Sequence, residues 1–298
     1  MTVTIEHTYV EANGVSFRVA SSGAPGATPV LCLHGFPEGS MSWGPVMERL
    51  APEDARIYAP DMRGYPGSGC PNRGYDVFTL SDDVAGLIEA LHLDRPVLVG
   101  HDWGGELAWI FAHRYSHLIR KLIIINGTHP KTLVRAVYRC TDFQGLRISF
   151  VAIFAVPWLP EIFTTTALGR RILKLSFTLR AGTVGKMNIP LIDALVARFQ
   201  RPIDLHWPIA WYRSMILTQL LPWRVARLNK VYETPITVPI TGIWGVEDTF
   251  LPYKVALLSA RDAGHEIEWR PLDGVNHFVS LEAPDILAAE IKRAIAAV

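Results

Sequence analysis

Gly100-His101-Asp102-Trp103-Gly104 places a carboxylate where a nucleophile belongs. The five residues follow an apolar run, Pro96-Val97-Leu98-Val99, and open a helical pattern, Leu107-Ala108-Trp109-Ile110-Phe111-Ala112. This reads as strand, tight turn and helix, with glycines where a sharp turn needs small residues. Serine often occupies the exposed position of such an elbow; here Asp102 does. An aspartate is already ionised near neutrality, so it gains nothing from a general base. The N-terminus of the following helix favours its charge. A carboxylate nucleophile suits attack on a polarised sp3 carbon, leaving an ester that water must then cleave. That chemistry points to epoxides or alkyl halides rather than to esters or peptides.

Sites of open α/β sheets lie at the carboxyl ends of strands, which directs attention to residues just after apolar runs. Asp248 follows Ile240-Thr241-Gly242-Ile243-Trp244 after a short Gly245-Val246-Glu247 turn, with Glu247 as the alternative acid. His277 lies in Asp273-Gly274-Val275-Asn276-His277-Phe278, beyond the strand pattern Glu266 to Arg270. Nucleophile, acid and histidine thus succeed one another along the chain. His34-Gly35-Phe36-Pro37-Glu38 follows the run Val30 to Leu33. The amides of Phe36 and Trp103 are expected to form an oxyanion hole, which cleaving an ester intermediate requires. His34 and His101 are expected to bond backbone around these turns. Glu38 either orients water or satisfies a buried polar network.

These residues need a sheet to position them. Glu6 to Ser21 alternates around Asn13-Gly14, an edge hairpin. Val30 to Leu33, Arg56 to Ala59, Val97 to Val99 and Lys121 to Ile125 read as buried strands. Helical patterns lie between them at Met41 to Leu50 and at Thr79 to Leu91, the latter with Asp82 and Asp83 in its first turn. Near-continuous apolar strands alternating with helices indicate a mostly parallel sheet covered on both faces. From Pro130 to about Thr234 the strand rhythm stops and prolines break several helical patterns. It resumes at Ile240 with a strand, a helix from about Tyr253, a further strand and a closing helix from Pro284. The expected fold is therefore one α/β domain formed by residues 1–129 and 235–298, with a helical cap inserted at 130–234.

The 298 residues are 49% hydrophobic and 19% charged, which allows a large core. The formal net charge of +1 gives no bulk pull toward nucleic acid or anionic membrane. Arg170, Arg171, Lys174, Arg180 and Lys186 make one stretch locally basic, read as a solvated helix face. Three cysteines without metal-ligand spacing, Cys32, Cys70 and Cys140, are expected to be buried reduced thiols of a cytoplasmic protein. The N-terminus lacks the basic and apolar regions of a signal peptide. No apolar run reaches membrane-spanning length; the nearest is Ile148 to Trp158. Gly64, Gly67 and Gly69 do not form a dinucleotide fingerprint.

The sequence resembles the epoxide hydrolase branch of the α/β-hydrolase superfamily along nearly its whole length. The matching segments are His34 to Glu38 with Trp43, Asp61-Met62-Arg63-Gly64-Tyr65, and Gly100 to Gly105. Pro157-Trp158-Leu159-Pro160-Glu161, Trp211-Tyr212-Arg213 and Asn276-His277-Phe278 complete the set. Pro66 stands where the family usually has glycine. The resemblance implies the α/β-hydrolase fold, no cofactor, no metal, and turnover of a small hydrophobic epoxide with water. It implies Asp102 as nucleophile, His277 as base, Asp248 as its acid partner and Tyr212 as proton donor from the cap. A second family tyrosine lies seven residues before the proline matching Pro157. Here that residue is Phe150, and Ser149, Val151 and Ala152 carry no phenol either. Phe150, Phe154 and Trp158 are the expected substrate-binding residues. A haloalkane dehalogenase would use the same aspartate and histidine but needs N–H donors for halide. Phe36, Trp103 and Glu106 do not fit that branch or its fluoroacetate-cleaving members. A hydrolase-fold binding protein and a homodimer are both compatible with the sequence.

Overall fold

The computed structural model describes residues 3–50, 55–178 and 181–297. Arg180 of the basic stretch, and Met1 and Thr2, lie outside the described residues. Eight strands form one sheet in the order β1-β2-β4-β3-β5-β6-β7-β8. The strands are β1 (Glu6–Ala12), β2 (Val15–Ser22), β3 (Thr28–Leu33), β4 (Ala55–Pro60), β5 (Val97–His101), β6 (Lys121–Ile125), β7 (Ile240–Gly245) and β8 (Ile267–Leu272). β1 and β2 pair antiparallel across Asn13-Gly14, β2 pairs antiparallel with β4, and every later pairing is parallel. The register sets Leu33 beside Gly100 and His101 beside Ile125. The ends of β3, β5 and β6 therefore open on one edge of the sheet.

The central strands β5, β6 and β7 are buried along their whole length. That is what runs such as Lys121-Leu122-Ile123-Ile124-Ile125 require when helices cover both faces. One face packs Leu31, Leu98, Trp109, Phe111 and Leu122; the other packs Val30, Val99, Ile123, Ile243 and Ile291.

Helix α1 (Val77–Ala90) starts two residues earlier than the sequence pattern, because Asp76 caps it through the amides of Phe78 and Thr79. Asp83 therefore sits deeper in the helix than the expected first turn. It is fully buried and takes a bidentate pair from Arg63, with both bonds 2.6 Å long. Met41 to Leu50 is not one helix: a short 3₁₀ turn, Ser40–Trp43, passes into a single turn, Gly44–Met47, at Gly44-Pro45. Between β6 and β7 every element among the described residues is helical. Those used below are α3 (Pro130–Tyr138), α4 (Phe150–Phe154), α5 (Leu159–Thr165), α6 (Ala167–Thr178) and α7 (Pro202–Leu220), α2 being the helix Trp103–Tyr115 that follows β5.

The cysteines depart from expectation. Cys32 is buried in β3, but Cys70 and Cys140 are exposed. Both lie in loops, where few apolar neighbours are available to bury a thiol.

Candidate active site

Asp102 joins β5 to α2 at φ 51°, ψ −119°. Such a conformation costs a non-glycine residue free energy and is held by its surroundings. The crowding explains the small neighbours. A Cβ at Gly104 would lie 2.4 Å from the Leu33 carbonyl oxygen, and one at Gly35 2.5 Å from the Asp102 Cβ. The bend lifts the Asp102 carboxylate above the sheet edge, against the loop after β3. There the Phe36 amide donates to its Oδ1 at 2.9 Å. Trp103 is the first residue of α2, so its amide has no intrahelical acceptor.

His277 Nε2 is 3.3 Å from Asp102 Oδ2, and His277 Nδ1 is 2.7 Å from Asp248 Oδ2. A carboxylate only accepts, so Nδ1 carries the proton. Three further donors converge on Asp248: Asn126 Nδ2 at 2.6 Å, the Phe250 amide at 2.7 Å and the Leu251 amide at 2.9 Å. Glu247, the alternative acid, instead faces Thr183. Burial alone would lower the affinity of His277 for its second proton. The Asp248 charge and hydrogen bonds to both carboxylates outweigh it, and its pKa is pushed up to about 10. Burial likewise opposes ionisation of Asp102, but the His277 bond and charge, the His101 charge and the Phe36 amide hold it below the usual range. At rest the two form an ion pair.

A buried pair supports this arrangement from below. His101 Nδ1 lies 2.7 Å from Glu38 Oε2, and His101 Nε2 lies 2.8 Å from the His277 carbonyl oxygen. Both partners accept, so both ring nitrogens donate and His101 is an imidazolium. Burial opposes that charge, and Glu38 overrides it to raise the His101 pKa. Glu38 also accepts from the Gly35 amide at 2.8 Å. Glu38 is thus part of a buried polar network through Oε2, one of its two sequence readings. His34 bonds backbone on both sides, to the Gly35 carbonyl and from the Met62 amide. His101 does so on one side only.

Above the carboxylate lies a cavity of about 730 Å³. Phe36, Phe150, Phe154, Phe250 and Tyr212 give it an aromatic wall, and Asp102 and His277 its polar end. Tyr212, in α7, packs edge-on against Trp103 at 4.8 Å and Phe154 at 4.9 Å. Burial, then the Asp102 charge, raise its pKa far above that of a free phenol, so it retains its proton. Its two neighbours fix its place. The Trp211 indole donates to the Arg63 carbonyl at 3.2 Å, tying α7 to the core. Arg213 pairs with buried Glu161 at 2.6 Å and donates to the Phe154 and Val156 carbonyls.

A sequence model for the alpha/beta hydrolase fold matches residues 28–284. Epoxide hydrolase A of Mycobacterium tuberculosis is 43% identical over 306 residues, covering 95% of this chain and 94% of that protein. The chain belongs to the epoxide hydrolase branch of the α/β-hydrolase superfamily. The AB hydrolase superfamily protein YfhM of Bacillus subtilis is 32% identical over 292 residues, covering 94% of each chain. The crystal structure of the epoxide hydrolase VrEH1 from Vigna radiata superposes with a TM-score of 0.77 at 24% identity, covering 99% of this chain and 98% of that one. That last likeness is one of fold.

Within this hydrolase, the structure brings together Asp102, His277, Asp248, Tyr212, Phe36, Trp103, Phe150 and Phe154. It leaves Trp158 outside. That residue is 46% exposed, stacks on His206 at 4.4 Å and does not line the cavity. It precedes α5 in a left-handed conformation that turns its ring outward. Three site residues escaped the sequence reading. Asn126, bonded to Asp248 and to the Gly245 amide, directly follows β6 and was open to the strand-end rule. Phe250 is two residues beyond Asp248 and meets the His277 ring edge-on at 5.0 Å. Glu106, one turn after Asp102, is buried and makes no side-chain hydrogen bond or ion pair among the described residues. Burial, then the Asp102 charge, raise its pKa well above the usual carboxylate value, which favours the neutral acid. It sits between the main cavity and a second lobe of about 380 Å³, which shares Trp103, Leu133 and Met215 with it.

Proposed function

We propose that the chain converts a hydrophobic epoxide and water to a vicinal diol through an alkyl-enzyme ester on Asp102, with residues 130–234 acting as the cap over the site. The single observation that supports this most is an ionised carboxylate on a strained elbow and a protonated phenol lining the same largely apolar cavity. Asp102 attacks one ring carbon and the C–O bond breaks away from it. Tyr212 delivers its proton to the departing oxygen, without which an alkoxide is a poor leaving group.

Ester formation removes the Asp102 charge that helped keep His277 protonated. His277 then returns a proton to the Tyr212 phenolate and becomes a neutral base. It takes a proton from water, whose oxygen adds to the ester carbonyl. The Phe36 and Trp103 amides hold the oxyanion. Collapse releases the diol, the second water proton passing to its alkoxide, and the Asp102–His277 ion pair is restored. The base is therefore freed by the step that creates the need for it.

A halide leaving group requires N–H donors at the departing atom. Trp158 and Trp207, the two tryptophans of residues 130–234 that could join Trp103 as such donors, stack on His206 and Tyr75 instead and do not line the cavity, which favours the epoxide reading. Intact-mass measurement of His277→Gln incubated with epoxides and with haloalkanes tests it. An adduct equal to the whole epoxide is expected, and an adduct formed only by haloalkanes with halide release would contradict it.

A further inference from the structure

The near-zero net charge conceals a division of the molecule. Residues 130–234 contain 15 Lys and Arg against five Asp and Glu, a net +10, while the remainder carries −9. The basic part also holds most of the exposed large apolar side chains among the described residues. On the consecutive helices α4, α5 and α6, Ile153, Leu159, Phe163 and Ile172 line the catalytic cavity and are also solvent-exposed, so they form its mouth. The exposed surface continues through Ile162 and Leu168, 57% and 59% accessible, to Val156 and Trp158. Arg170 and Arg171 stand between Leu168 and Ile172, exposed and without an ion pair among the described residues. Scattered exposed apolar residues are ordinary; a contiguous set around one opening marks an interaction site.

We propose that this basic, apolar face docks on the surface of an anionic lipid bilayer, with the cavity mouth turned toward the acyl chains. The combination of Lys and Arg with large apolar side chains on short helices is the chemistry of interfacial binding. Two alternatives fit less well. A second copy would bring the same net positive face against itself, which like-charge repulsion opposes. A protein partner would close the mouth, whereas a bilayer covers it with a solvent in which hydrophobic substrates dissolve. Binding is peripheral. Among the described residues no single helix is long and apolar enough to cross a membrane, and the pair Thr141–Phe154 and Leu159–Thr165 bends by 85°. Docking stands on the surface alone; direct uptake of a lipophilic epoxide from the bilayer rests on the proposed chemistry.

Cosedimentation of the full chain with phosphatidylcholine vesicles, with and without roughly one-third phosphatidylglycerol, tests this. Binding is expected to the anionic vesicles only and to fall with salt. The pair Arg170→Glu with Arg171→Glu should weaken it by more than about tenfold, as should Ile162→Glu with Leu168→Glu. None of these four residues lines the cavity, so turnover of a water-soluble epoxide and the circular dichroism spectrum should not change. Turnover of a lipophilic epoxide dissolved in the anionic vesicles should fall in both variants.

Absence of vesicle binding, equal binding to neutral vesicles, or unaltered binding by folded variants overturns docking. So does equal capture by polyglutamate, or a wild-type dimer that the variants convert to monomer without vesicle binding. Anionic-vesicle binding by a chain that turns over no epoxide supports docking and removes the activity reading instead.

Discussion

In the proposed mechanism Asp102, His277 and Tyr212 do different work because their surroundings hold them in different protonation states. The carboxylate is kept ionised, the imidazole charged and the phenol neutral. With Phe150 where a second phenol is expected by resemblance, Tyr212 is the only tyrosine among the described residues that lines the main cavity. Tyr212→Phe should therefore slow single-turnover alkylation of Asp102 by at least roughly 10²–10³-fold, the scale of deleting one donor to a developing oxyanion. Phe150→Tyr should maintain or raise that rate on small epoxides. Unchanged alkylation by Tyr212→Phe would mean that another group supplies the proton. The Asp102–His277 pair also bears on stability. His277 has a folded value of about 10 against an ordinary 6.5. Its contribution is complete below about pH 6.5 and is lost as pH rises through about 10. Thermal melts of Asp102→Asn should show a shallower decline over that window than wild type, since one of the two carboxylates raising His277 is neutralised.

At the scale of elements, α7 is a beam fixed at two points on either side of Tyr212. Trp211 bonds the core, and Arg213 joins Glu161 and the carbonyls ending α4. Arg213→Met leaves Glu161 buried with only His206 as a side-chain partner. It should cost about 2–3 kcal/mol by denaturant unfolding, discounted from a fully buried pair because Arg213 is partly exposed. It should also lower the alkylation rate more than the later hydrolysis of the ester, since in the proposed mechanism Tyr212 serves only the first step. Equal loss in both steps would make Arg213 a support for the whole site rather than for Tyr212. The β5–α2 elbow shows the same economy: Gly104 and Gly35 exist because backbone and the Asp102 side chain occupy the space a methyl would need.

At the scale of the molecule, local apolar patterning made the sheet legible. β3 to β7 are short apolar runs bounded by loops, and burial on both faces leaves no other reading once helices alternate with them. The strand-end rule singled out Asp102, Asp248, His277 and Phe36 because it needs only chain order. Long-range pairing left no such trace. Nothing local says that Asp83 meets Arg63, that Glu106 reaches the cavity, or that Trp158 turns to His206. The exposed Cys70 and Cys140 and the broken helix at Gly44-Pro45 are likewise settled by loop paths. The net charge of +1 was a sum over two opposed halves, visible only when the helical insertion is counted separately.

The central claim is that the diol acquires its oxygen from Asp102 and not directly from water. The most direct measurement is a single turnover with enzyme in excess over epoxide in ¹⁸O-water, followed by mass analysis of the diol and of the peptide containing Asp102. The ester route requires an unlabelled diol and one ¹⁸O in the Asp102 carboxylate. Label in the first-turnover diol, with an unlabelled Asp102 peptide, would contradict it and reduce Asp102 to an orienting group for water.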